Sequence, residues 1–266
     1  MFYMSRAFLA SLVFICSCLS CRGQSRIDTD RPDQTESAFT VPKGWMQLES
    51  GTVKEKWETS PQKIYSYTLP TLLTKYGISD KWELRLITEY NRWGTAKRWF
   101  RDTIGILPVK LGFKVNLYEG KGIIPRVSLI YHTAFNRLAS KMARGGSFLA
   151  PEFRFTFQND LGEGVALGYN LGMEWEDTRE KPAFIYTFAP GFDLGENWYG
   201  YVELFGSLTK NEPQQHAFDA GIAWYANDNL KLDASAAIGI TGLMKYYIGM
   251  GCSLRFSVKK NKPISD

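Results

Sequence analysis

The stretch Lys245 to Phe256 (KYYIGMGCSLRF) restricts the chain's folding options more than any other. Tyr246, Ile248, Met250, Cys252, Leu254 and Phe256 fall on one face at period two. Lys245, Tyr247, Gly249, Gly251, Ser253 and Arg255 fall on the other. Such alternation specifies a β-strand with two unlike faces. The pattern runs for about twice the ~5–6 residues of an ordinary globular strand, the length at which a tilted strand crosses a bilayer's hydrocarbon. This strand is expected to close a transmembrane barrel against the first one.

The preceding chain repeats the pattern. From residue 44 it divides into segments of similar length separated by turn residues: Trp45–Trp57, Ile64–Tyr76, Lys81–Arg92, Ile104–Leu117, Ile123–Phe135 and Phe148–Gln158, then Val165–Glu176, Ala183–Asp193, Trp198–Thr209, His216–Ala226 and Leu230–Thr241. Pro70 lacks an N–H and requires a bulge in the second segment. With the closing strand this predicts an all-β fold, an antiparallel transmembrane β-barrel of about 12 strands over residues 44–256. Short turns follow the even-numbered segments, and most longer connections follow the odd-numbered ones. Barrels place the former in the periplasm and the latter outside. The brief connection at Gly242 is the exception. The aromatic Phe256 resembles the terminal signal read by barrel-assembly machinery, although a polar tail (residues 257–266) follows it. Outer-membrane lipids and that machinery are the expected partners, in a Gram-negative outer membrane.

The N-terminus reads as an export signal. A basic head ending at Arg6 leads into the apolar run Ala7 to Leu19, and small residues precede a cut after Gly23, so residues 1–23 are expected to be cleaved. The sequence around Cys16 and Cys18 offers lipidation as a rival processing route, with Cys21 a poorer match. Cleavage after Gly23 removes Cys16, Cys18 and Cys21 and leaves Cys252 without an internal disulfide partner. The formal charge is +5, but basic and acidic residues are mixed along the chain, which argues against nucleic acid as a partner. No cofactor or metal motif is present.

Residues 24–43 form a polar leader without periodicity. Within it Thr29 to Ser37 reads TDRPDQTES, followed by Val41-Pro42-Lys43-Gly44 and Gln47-Leu48-Glu49. This run resembles the opening signature of an outer-membrane barrel family labelled "putative MetA-pathway of phenol degradation". The resemblance implies an exported barrel with a transport role and carries no catalytic residue. The leader's Asp30, Arg31, Asp33 and Glu36 are candidates to fold back and plug the lumen, against the plainer expectation of a periplasmic strap.

Alternation assigns a charged set to the inward faces: Glu83, Arg85 and Glu89 on the third segment, Lys110 and Lys114 on the fourth, Arg126 and His132 on the fifth. Glu152 and Arg154 follow on the sixth, Glu174 on the seventh, Glu203 on the ninth, Lys231 and Asp233 on the eleventh, and Lys245 and Arg255 on the last. Such a set either lines a pore that sorts solutes or fills a narrow barrel with ion pairs. Tyr199, Tyr201, Phe205 and Tyr247 also fall inward, weakly favouring hydrophobic or aromatic solutes. The function expected is a passive channel for small solutes, and not an enzyme. The alternatives are an outer-membrane hydrolase and a structural barrel. For the hydrolase, the two histidines are His132, with Ser128 on the same face, and His216 at the start of a strand, and neither sits in a recognisable Ser/His motif.

Overall fold

The computed structural model describes residues 26–95, 103–141, 149–162, 164–175 and 181–258. The expected signal segment, most of the basic loop after Trp93, residues 142–148, 163 and 176–180 and most of the tail lie outside them. Thirteen strands make one sheet: β1 (Trp45–Thr59), β2 (Gln62–Ser79), β3 (Trp82–Thr95), β4 (Thr103–Ile106), β5 (Val109–Tyr118), β6 (Arg126–Phe135) and β7 (Leu149–Gly162), then β8 (Val165–Glu174), β9 (Ala183–Asp193), β10 (Trp198–Thr209), β11 (Gln215–Asn227), β12 (Leu230–Thr241) and β13 (Met244–Ser257). All neighbours are antiparallel, and β1 pairs with β13 from Trp45↔Ser257 to Trp57↔Met244, which closes the barrel.

The stave expected over Ile104–Leu117 is cut in two at Leu107-Pro108, so β4 and β5 follow one another along β3. Pro108 has no N–H to give the ladder. Leu107 N still donates to Glu89 O at 2.9 Å, holding the break against the wall. Ser140, beyond a 3-10 turn at Asn136–Leu138, covers the open edge of β4 by bonding both the N–H and the C=O of Ile106. Counted as staves, the barrel has twelve. At Pro70 the register of β2 slips against both neighbours, between Gly51 and Val53 of β1 and, in the pairing with β3, between Thr68 and Thr71 of β2 itself.

Large apolar side chains point outward on alternate positions, as with Ile248, Met250 and Leu254 on β13 or Leu171 on β8, each exposed by 43% or more. Left in water this surface would cost ~25 cal/mol per Å²; against hydrocarbon it costs nothing. Trp82, Trp198 and Trp224 ring the end where both chain termini emerge, with Trp198 and Trp224 paired at 6.4 Å. Aromatic girdles of this kind mark bilayer interfaces. The opposite end carries the connections after β1, β3, β6, β8, β10 and β12.

Candidate functional site in the lumen

Inward positions are polar and largely buried, because the leader runs through the barrel. It enters at the terminal end, where Ile27 N bonds Asp228 O at 2.7 Å, and leaves at Gly44, which bonds Gly77 O at 2.8 Å. Between these points wall side chains take up many of the leader's backbone groups. Glu49 receives the N–H of Asp30 and Arg31, Glu203 that of Gln34 (2.8 Å), Asn170 that of Glu36 (2.7 Å) and Glu83 that of Val41 (2.8 Å). Gln47 donates to Asp28 O, Lys231 to Arg31 O and to the Thr29 side-chain hydroxyl, and Ser128 to Ala38 O.

Asp30 lies at the centre of the charge. Its carboxylate accepts from Lys75 (2.7 Å), Arg85 (2.8 Å) and Lys114 (3.0 Å), and caps Ser37 N at 2.9 Å. Burial alone would raise this carboxyl; Lys114, Lys75 and Arg85 outweigh it and hold Asp30 well below the usual carboxylate range. Arg85 also bonds Glu36 (2.6 Å) and Glu83 (2.9 Å), and its Nε donates to His132 Nε2 at 2.9 Å. The last contact crosses Gly112, cross-strand partner of both Arg85 and His132, where a Cβ would come within 2.5 Å of the imidazole. Glu152 takes Arg154 at 2.5 Å and Lys110 at 3.4 Å, with Glu174 3.8 Å from Lys110.

On the other side, Arg31 lies over a row of register partners, Thr71, Gly51, Gly251 and Asp233, which spans β2, β1, β13 and β12. It pairs with Asp233 at 3.0 Å. A Cβ on Gly51 would stand 2.6 Å from its guanidinium, and one on Gly251 2.5 Å from its Nε, so bare backbone makes its seat. Thr35 bonds both Thr187 and Glu203 at 2.6 Å. Asp33 faces Lys231, Asp219 and Glu203. Burial pushes it well above the usual range, with Asp219 and Asp30 adding to the shift and Lys231 opposing it.

The remaining inward candidates lie apart from this network. Glu89 lines an outer cavity with Glu55 and Asn91. Arg126 sits at the terminal mouth, 4.2 Å over the Phe39 ring and paired with Glu119. Arg255 holds the β11–β12 turn through Asn229 and Asp228 and stacks 5.4 Å over Trp45. Lys245 does not enter the lumen. The register passes from Tyr246 opposite Lys56 to Met244 opposite Trp57, skipping Lys245, which turns outward beside Glu58 at 3.9 Å. Met244 takes the inward place instead. Lys75, Gln47, Glu49, Asn170 and Asp219 are lumen residues absent from the sequence-based set. Met46 and Leu48 on the opposite face flag Gln47 and Glu49, and Phe218 and Ile222 flag Asp219.

Glu36, His132 and Glu152 each bring one ligand atom to within 4.8 Å of the others. The set does not suit a metal. Arg85 can only donate, so His132 Nε2 must accept and the ring proton sits on Nδ1, leaving no free nitrogen lone pair. Both carboxylates are already bound to guanidinium groups.

The leader divides the interior. Toward the outer end lies a cavity of about 620 Å³, floored by Arg31 to Gln34. A second, about 270 Å³, touches Gln34 and is walled by Trp57, Ile185, Phe205, Ala217, Leu243 and Met244, with Arg154 and Glu174 at its edge. Toward the termini a cavity of about 120 Å³ runs beneath Arg31 and Asp33 beside Tyr199, Tyr225 and Lys231.

A family model described as "Putative MetA-pathway of phenol degradation" matches residues 29–256. No curated protein sequence matches this chain. Among solved structures, an outer membrane channel from Pseudomonas putida F1 aligns with a TM-score of 0.69 at 11% identity, covering 83% of this chain and 98% of that one. The β domain of the Bordetella autotransporter BrkA aligns at 0.52 and 11% identity (79% and 99% covered). The translocator domain of the Neisseria meningitidis autotransporter NalP aligns at 0.50 and 10% identity (81% and 90%). At such identities the likeness is one of fold, a closed outer-membrane β-barrel.

Proposed function

The chain belongs to the family described as "Putative MetA-pathway of phenol degradation", and from that membership we propose that it is a passive outer-membrane channel for small hydrophobic or aromatic solutes, with its leader as the constriction. The observation that carries this reading is the apolar wall inside the outer half of the lumen. Val53, Trp57, Phe205, Ala217, Ala237, Met244 and Tyr247 cluster on inward positions of β1 and β10–β13, opposite a charged wall. Ala217, Ala237, Met244 and Tyr247 are already buried by their neighbours, whereas Val53, Trp57 and Phe205 are only partly covered; a solute resting on those three gains ~25 cal/mol per Å² of apolar surface that it removes from water. A ring-sized molecule resting there keeps its polar atoms toward Arg154 and Glu174. It meets Arg31 to Gln34 before reaching the terminal end.

A non-enzymatic role is part of this reading. Ser128 donates to Ala38 O at 2.6 Å and His132 Nε2 is engaged by Arg85, so neither serves a nucleophile–base pair. The test is uptake of a neutral aromatic probe and of ions into liposomes holding the refolded protein. Trp57→Ala is expected to slow aromatic uptake several-fold while leaving ion conductance unchanged or higher. Equal loss of both would point to a general pore, and no flux in any variant would favour a filled structural barrel.

A further inference from the structure

Cations on the lipid-facing side of a barrel need an account, because they are tolerated only near the interfaces. Two rows of register partners on β13, β1, β2 and β3 carry them: Ile248–Lys54–Tyr67–Arg92, and above it Tyr246–Lys56–Tyr65–Gly94. Their neighbours in sequence, Val53, Glu55, Ser66 and Asn91, line the lumen cavity, so these side chains point out. Lys54 Nζ lies 5.5 Å over the Tyr67 ring, and Lys56 is 2.7 Å from Glu58. Lys54 comes nine residues after Trp45 at the terminal rim. At ~3.3 Å per residue and a tilt of ~40°, that places it about 23 Å up, at the top of an apolar band ~25 Å tall.

Among the described strand residues, the outward cations toward this rim are confined to one sector. Outward positions toward the same rim on β7, β9 and β11 are Phe153, Phe184 and Phe218. A barrel that merely ended in water at this height would have no reason to charge one side and leave the other aromatic.

We infer that Lys54, Lys56 and Arg92, with Tyr65 and Tyr67 between them, form a binding surface for the phosphate groups of an outer-leaflet glycolipid. The ammonium and guanidinium groups meet the phosphates at headgroup height. The tyrosine rings pack on the sugar and the first acyl carbons.

The test is native mass spectrometry of the whole mature barrel in detergent, titrated with bisphosphorylated lipid A, with its dephosphorylated form, and with inorganic phosphate. The phosphorylated lipid is expected to bind at least about tenfold more tightly than the dephosphorylated one. The triple variant Lys54→Gln, Lys56→Gln, Arg92→Gln should lose that preference, and Lys210→Gln at the other side of the rim should keep it. Should the triple variant fail to fold, Lys54→Gln alone is expected to weaken binding in the same direction. Equal binding of both lipids, or variants that bind as the parent does, would overturn the proposal. So would inorganic phosphate competing at equal concentration, which would reassign the surface to free anions.

Discussion

Asp30 accepts from cations on β2, β3 and β5, so the charge of one leader residue ties three strands to it. Such a pair adds little net stability over an apolar core, but removing one partner typically costs ~3–5 kcal/mol because the rest stay buried and unbalanced. Asp30→Asn is therefore expected to speed hydrogen exchange at the leader amides, those of Gln34 and Glu36 included, by at least about a hundredfold, with the strand amides unchanged. Exchange equal to the parent's would show that Asp30 does not hold the leader.

Asp33 behaves oppositely. Its carboxyl is raised in the docked leader, so its contribution to docking is complete below the ordinary carboxylate pKa of ~3.9 and is lost as pH rises through the raised value. Asp30 is depressed, so its contribution is complete above ~3.9 and is lost only as pH falls through the lowered value. Between those limits acidification tightens the leader. Leader exchange, corrected for its intrinsic pH dependence, should slow from neutral pH toward about pH 4.5, and Asp33→Asn should weaken the trend. Faster corrected exchange in acid would contradict it.

At the scale of elements, the leader was legible as something other than a strand, yet its partners were not. Period two finds strands and faces, but each bulge inverts the count beyond it. Carried straight through Pro70 from Ile64, the alternation sends Lys75 to the lipid side; the slip between Thr68 and Thr71 returns it to the lumen and to Asp30. The same inversion turns Lys245 out and Met244 in. Nothing local in the sequence says that Arg31 seats on Gly51 and Gly251, because those residues are some two hundred positions apart. Docking also depends on small residues in the wall. A methyl at Gly168 on β8 would lie 2.9 Å from Thr35 Cγ2 and otherwise no nearer than 3.8 Å to Ala189 O. Gly168→Ala should therefore displace Thr35 from Thr187 and Glu203, weakening docking by ~1–3 kcal/mol with the barrel's melting temperature nearly unchanged. Leader exchange beside thermal unfolding measures both, and a large fall in melting temperature would place the strain in the wall instead.

Across the whole molecule, alternation, turn spacing and the closing strand were enough to foresee the barrel, because a two-faced strand has few other ways to satisfy its backbone in lipid. Closure also gives a direct check. The unboiled protein should migrate differently from the boiled protein on a denaturing gel, and identical migration would argue against a closed barrel. Arg31's seat has one more consequence. It is assembled from the first strand made and the last two, with Gly51 on β1, Gly251 on β13 and Asp233 on β12 in one row. During biogenesis that seat does not exist until the seam has zipped, so Arg31 cannot settle early even where Asp30 already meets its partners on β2, β3 and β5. An inserted but unsealed intermediate leaves Arg31 without its seat, and a seated Arg31 reports a finished barrel.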